Sequence, residues 1–218
     1  VTRTRLKVCC IASVDEARLA IRFGADALGL VSAMPSGPGV ISEDRIAEVA
    51  AAVPPAVATF LLTSLRDPDA IAAQQRRCRT NTLQLCDALP NGAHAALRAT
   101  LPAVKLVQVI HVESEASVDE ALAVAPHVDA LLLDSGRPSA TTKVLGGTGQ
   151  THDWNHSRTI RERADVPVFL AGGLRAENVG AAVRQVEPFG VDLCTGVRTD
   201  GRLDAAKLRA FVAALRAA

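Results

Sequence analysis

Eight short apolar segments, each followed by a stretch with room for a helix, predict an α/β chain closed into an eight-stranded parallel barrel. The length of 218 residues suits one sizeable core and a compact barrel. Composition agrees. Hydrophobic residues make up 49% of the chain but aromatic residues only 3%, with no Tyr and one Trp. A core of Val, Leu, Ile and Ala suits parallel strands covered by helices better than a sandwich. No linker or composition break divides the sequence. The expectation is therefore a single-domain (β/α)8 TIM barrel over residues 1–218.

The strands are expected at 6–12, 26–31, 56–62, 82–85, 105–111, 130–134, 167–171 and 190–194. The first leads into Ser13-Val14-Asp15-Glu16-Ala17, whose Ser-x-x-Glu spacing is a capping box able to start a helix. The second runs into the Pro- and Gly-rich stretch 34–40, a strand-to-helix loop of the kind that lies on a barrel's catalytic face. Pro54-Pro55 ends the helix that follows. After the fifth strand the capping segment recurs as Ser117-Val118-Asp119-Glu120-Ala121. Each copy follows a strand segment with a lysine at its start, Lys7 or Lys105, and precedes one that begins Asp-Ala-Leu, at Asp26 or Asp129. Two four-unit halves would give this repeat. The sixth strand is followed by a long loop and a helix beginning near Asp153 and Trp154. The closing helix carries Leu208, Phe211, Val212 and Leu215 at i, i+3, i+4 and i+7.

Charge and cysteine usage exclude several classes. The formal net charge is +1, from 24 basic and 23 acidic residues, so no basic field points to nucleic acid. No apolar run is long enough to span a membrane, and no signal-peptide pattern is expected. The cysteines Cys9, Cys10, Cys78, Cys86 and Cys194 are odd in number and lack zinc or disulfide-framework spacing. The expected compartment is the cytoplasm.

The strongest local signal is Gly146-Gly147-Thr148-Gly149, in the sixth loop just before a helix. Glycines let backbone N–H groups approach an anion, and the helix start adds positive partial charge. Gly172-Gly173 follows the seventh strand and Thr195-Gly196 the eighth, where barrels of this kind bind phosphate. Converging on one face, these features predict a phosphate site at Gly147, Thr148, Gly149, Gly172, Gly173, Thr195 and Gly196. Cys9 and Asp134 stand at the ends of the first and sixth strands and are candidates for acid–base work. By position alone each has an ordinary alternative: Cys9 as a buried apolar filler, Asp134 as a cap.

Together these residues resemble phosphoribosylanthranilate isomerase. Lys7-Val8-Cys9-Cys10-Ile11 is similar to that family's Lys-x-Cys-Gly-Ile opening. Gly24-Ala25-Asp26-Ala27-Leu28-Gly29 is similar to its second strand, and Leu132-Leu133-Asp134 to the end of its sixth. Gly146-Gly147-Thr148-Gly149 with Thr151, Asp153 and Trp154 is close to its Gly-Gly-Thr-Gly-x-Thr-x-Asp-Trp motif, the most specific of these signatures. Leu170-Ala171-Gly172-Gly173-Leu174 and the segment from Gly190 to Val197 continue the likeness to the end of the barrel. The resemblance implies an Amadori rearrangement of an N-(5-phosphoribosyl) amine, with Cys9 as general base, Asp134 as general acid, and no metal or organic cofactor. It also implies substrate contacts from Lys7, Gln84 and Cys86, a small phosphosugar as the partner, and a monomer or homodimer.

Three positions depart from the family pattern. Gly39 stands where the family's second loop has an arginine that clamps the anthranilate carboxylate. Losing such a charge-assisted hydrogen bond costs roughly 1.5–3 kcal/mol. Gln84-Leu85-Cys86-Asp87 stands in place of Gln-Leu-His-Gly, and Cys10 in place of the glycine after the catalytic cysteine. Arg137 is the candidate replacement cation. A divergent relative acting on another phosphoribosyl compound, or a phosphosugar-binding protein without catalysis, are the alternative readings. A phosphosugar isomerase of histidine-biosynthesis type would carry a carboxylate where Cys9 stands.

Overall fold

The structure is a computed structural model that describes residues 3–135 and 151–218. Eight strands alternate with eight helices: β1 Arg5–Val8, α1 Val14–Arg22, β2 Ala27–Val31, α2 Glu43–Ala52, β3 Ala58–Thr63, α3 Pro68–Cys78, β4 Thr82–Leu85 and α4 Ala93–Thr100 in the first half. The second half runs β5 Lys105–His111, α5 Ala116–Val124, β6 Ala130–Asp134, α6 Trp154–Arg163, β7 Val168–Leu170, α7 Val179–Val186, β8 Gly190–Leu193 and α8 Ala205–Arg216. Every neighbouring pair is parallel, and β8 pairs with β1 to close the barrel. A short hairpin, β9 Arg198–Thr199 with β10 Arg202–Leu203, precedes α8. No helix among the described residues is long and apolar enough to cross a membrane.

The elements form where local chemistry asks for them. Ser13 caps α1 by accepting from Glu16 N–H, and Glu16 reaches back to Ala12 N–H at 3.0 Å, so the first capping box closes as expected. The second does not. Ser117 lies inside α5, and its hydroxyl donates to His111 O while accepting from Glu113 and Ser114 N–H. Val53 turns extended before Pro54, which stops α2 as the Pro-Pro pair predicts. Leu208, Phe211 and Val212 of α8 are buried against the barrel, and Leu215 packs at their edge.

The β1 segment ends earlier than expected, at Val8 rather than residue 12. Cys10 has φ +62°, which no continuing strand can hold. The remaining strands fall within two residues of their expected bounds.

Alternation along each strand sorts residues into two cores. Leu6, Val8, Leu131, Leu133 and Val191 face the helices, where each fully buried aliphatic side chain contributes about 1.5–3 kcal/mol. Phe60, Leu62, Val107, Val109, Leu132 and Phe169 fill the barrel interior. The same parity turns Lys7, Cys9, Gln84, Asp134 and Asp192 inward.

Candidate active site

The C-terminal ends of the strands surround an open cavity enclosing about 720 Å3 of empty space, part of it continuous with solvent. Cys9, Asp134, Gln84 and Cys86 line it, as do Gly172, Gly173 and Thr195. Residues placed by the sequence on five different strands thus meet at one mouth.

Asp134 ends β6 with its carboxylate turned inward. Its Oδ1 accepts from Ser135 N–H at 2.7 Å. Burial raises its pKa above the ordinary carboxylate value, against the opposing pull of that hydrogen bond and of His111 and Lys7. A carboxyl group whose protonated form is favoured by burial is suited to donate that proton. Cys9 is a free, buried thiol directly past β1.

Beneath Cys9 lies an ion pair absent from the sequence expectation. Lys7 Nζ donates to Asp192 Oδ2 at 2.8 Å, with side-chain exposures of 0% and 8%. The two residues are direct register partners across the β1–β8 seam. Burial opposes the charge on Lys7, but Asp192 and the sulfurs of Cys9 and Cys10 outweigh it and raise its pKa. The Lys7 ammonium also sits 5.2 Å from the Phe60 ring centroid. Lys7 is therefore one layer below the cavity and does not line it, although the motif match sets it among the substrate contacts. Asp192 does line the cavity, and its Oδ1 is buried without a hydrogen-bond partner, as is Gln84 Oε1. The signal for Asp192 was available: two charged residues in otherwise apolar strands require each other.

The glycine turns expected to bind phosphate follow β7 and β8. Gly172 has φ +85°, and a Cβ there would come within 2.9 Å of Ser135 Oγ, so only glycine fits where the turn passes the end of β6. Thr195 and Gly196 lie in a single 3-10 turn after β8. Gly147, Thr148, Gly149 and Arg137 lie outside the described residues. Cys86 is buried, and burial pushes its thiol up to about 12.

The end of β1 is clamped from outside. Arg198 donates to Glu16 and to the carbonyls of Cys9 and Cys10, and Glu16 also accepts from Leu203 N–H at 2.9 Å. These bonds hold Cys10 in its left-handed conformation.

The family model for N-(5'-phosphoribosyl)anthranilate (PRA) isomerase matches residues 6–214. The chain belongs to the PRA isomerase family. An N-(5'-phosphoribosyl)anthranilate isomerase of Haloferax volcanii is 38% identical over 217 residues, covering 99% of this chain and 94% of the relative. One of Halobacterium salinarum is 37% identical over 214 residues, covering 96% and 94%. The solved phosphoribosyl anthranilate isomerase of Thermotoga maritima superposes with a TM-score of 0.84 at 27% identity, over 99% of this chain and 100% of that one.

The second loop, where the resemblance implies an arginine at position 39, passes close to the end of β1. Gly39 has φ +80°, and a Cβ there would lie 2.5 Å from Cys10 Cβ. The Cys10 side chain thus fills the space that a side-chain-bearing residue at 39 would need. The two positions, separate in the sequence, are therefore direct neighbours in the fold. Among the described residues, none that lines the cavity carries a cationic side chain.

Proposed function

We propose that this chain, as one catalytic domain over residues 1–218, carries out the aldose-to-ketose Amadori rearrangement of an N-(5-phosphoribosyl) amine. Asp134 gives its proton to the furanose ring oxygen, the ring opens, and the amine nitrogen becomes an iminium. Cys9, as thiolate, removes the C2 proton, and the resulting enolamine tautomerises to the 1-amino-1-deoxyketose. Lys7 and Asp192 sustain the charge beneath Cys9, Gln84 and Cys86 border the sugar and aglycone, and the loops at Gly147–Gly149, Gly172, Gly173, Thr195 and Gly196 hold the phosphate. Free cysteines throughout suit a reducing cytoplasm.

One observation carries this reading. Cys9 past β1 and a carboxyl at the end of β6 whose pKa is raised by burial line one cavity, in a chain that belongs to an isomerase family. Cys9→Ala and Asp134→Asn are each expected to lower turnover of N-(5'-phosphoribosyl)anthranilate by at least about 10²-fold while binding of the reduced ketose product persists. Turnover near the wild-type rate in both variants would sink the assignment.

A second reading is favoured by Gly39 and the lack of a lining cation among the described residues: an aglycone other than anthranilate. The test is a panel of N-phosphoribosyl amines with and without a carboxylate on the aglycone. Faster conversion of the uncharged members supports the altered substrate, and preference for anthranilate refutes it. Binding of every member without conversion marks a phosphosugar-binding protein.

A further inference from the structure

Four of the five cysteines line the same cavity: Cys9, Cys10, Cys86 and Cys194. Among the described residues no group of three or more His, Cys, Asp or Glu is arranged to hold a metal ion. Of these, the proposed reaction uses Cys9 as base and sets Cys86 beside the substrate, and it gives Cys10 and Cys194 no role. The decisive contact is between Cys10 and Cys194, whose Sγ atoms are 2.6 Å apart although the residues are 184 positions apart in the chain. They stand just past β1 and β8, the two strands that close the barrel.

We propose that Cys10 and Cys194 are an oxidation site that forms a reversible disulfide across the barrel mouth when the chain meets a hydroperoxide. The two sulfurs are direct neighbours, so a small side-chain adjustment brings them to disulfide bond length. Cys194 is partly exposed and Cys10 is buried behind it, the arrangement of an attacking thiol and its resolving partner. The close Cys10 contact and the nearby Arg198 guanidinium favour the Cys194 thiolate against the cost of burial. The same contact, with one to Cys9, keeps Cys10 protonated. Cys86 is held as a thiol by burial, and Cys78 lies on α3, away from the mouth.

The steps balance without a further reagent. The Cys194 thiolate attacks one oxygen of the hydroperoxide, the O–O bond breaks, and Cys194 becomes a sulfenic acid while the departing alkoxide takes a proton as the alcohol. The Cys10 sulfur then attacks the Cys194 sulfur. Hydroxide leaves with the Cys10 proton as water, and the S–S bond forms. Two electrons pass from the two sulfurs to the peroxide, and a dithiol reductant reverses the change. The new bond would tie the residue after Cys9 to the residue before Thr195, joining the base to the phosphate end. That consequence for turnover rests on the proposed function; the oxidation itself does not.

The test uses the full chain, reduced and then treated with hydrogen peroxide, followed by thiol titration and non-reducing peptide mapping. The expected result is loss of two of the five free thiols and one linked pair, Cys10 with Cys194, restored by dithiothreitol. Cys194→Ser and Cys10→Gly should each abolish the link. The glycine variant keeps the fold because its left-handed backbone suits position 10. Turnover of the wild type should fall in step with the link and return on reduction, with each variant compared only with its own reduced form. A Cys9–Cys10 link, over-oxidised Cys194 without a link, or five unreacted thiols would overturn the proposal. If wild-type turnover is absent from the start but the link forms, the oxidation site stands and the isomerase reading falls.

Discussion

Cys10 and Gly39 show how a single contact alters what a loop can carry. Cys10 sits at φ +62° and fills the space beside Gly39, whose own φ is +80°. Any L-residue at 39 meets both a backbone penalty and a clash. Gly39→Ala is therefore expected to cost about 2–4 kcal/mol in urea unfolding. Cys10→Gly should be neutral or stabilising by about 1 kcal/mol, because glycine takes a positive φ freely. In the Cys10→Gly background the Gly39→Ala cost should shrink to the backbone part and the remaining contact with the position-10 Cα at 3.0 Å, leaving a coupling of about 1 kcal/mol in a double-mutant cycle. Additive costs would show that the two positions do not compete for space. Each departure is visible in the sequence alone. Their contact is not, because they lie on different loops and no pattern joins residues 10 and 39.

At the scale of elements, the internal repeat survives in a different form from its sequence signature. The Asp26 carboxylate accepts from Leu6 N–H at 2.8 Å, and the Asp129 carboxylate accepts from Leu106 N–H at 2.8 Å. Each aspartate thus satisfies the backbone of the strand before it, at equivalent places in the β1–β2 and β5–β6 units. Asp26→Ala and Asp129→Ala should each destabilise the chain by roughly 1–3 kcal/mol, by leaving that N–H without its acceptor. A change below a few tenths of a kcal/mol in both would show that water replaces the carboxylates without cost. The Asp-Ala-Leu half of the repeat was therefore informative, while the capping-box half held only in α1. Strand order and most bounds were legible because parallel buried strands are continuous apolar runs. The early end of β1 was not, because a positive φ at a cysteine carries no residue-type signal.

For the whole molecule, the barrel interior sets charged groups against an apolar core, and their titration shapes its stability. The inward carboxyls were partly legible: Asp134 from its place at a strand end, Asp192 only through the need of buried Lys7 for a partner. Burial raises the pKa of Asp134 above the carboxylate value of the unfolded chain. The folded chain then keeps this proton where the unfolded chain has lost it. Stability from this group is full below the unfolded pKa and is lost as pH rises through the folded pKa. At neutral pH the wild-type chain therefore carries a cost from this group, whose ionised form burial disfavours. Asp134→Asn has no proton to lose, and its amide oxygen can still accept from Ser135 N–H, while the amide N–H2 faces the open cavity. The variant should unfold at higher urea than the wild type at about pH 7, and the gap should close as pH falls below about 4. The same substitution is expected to abolish turnover, so its stability and activity should move in opposite directions. Equal or lower stability of Asp134→Asn at neutral pH would mean that ionised Asp134 is stabilised by its surroundings, and would remove the physical basis for treating it as the acid.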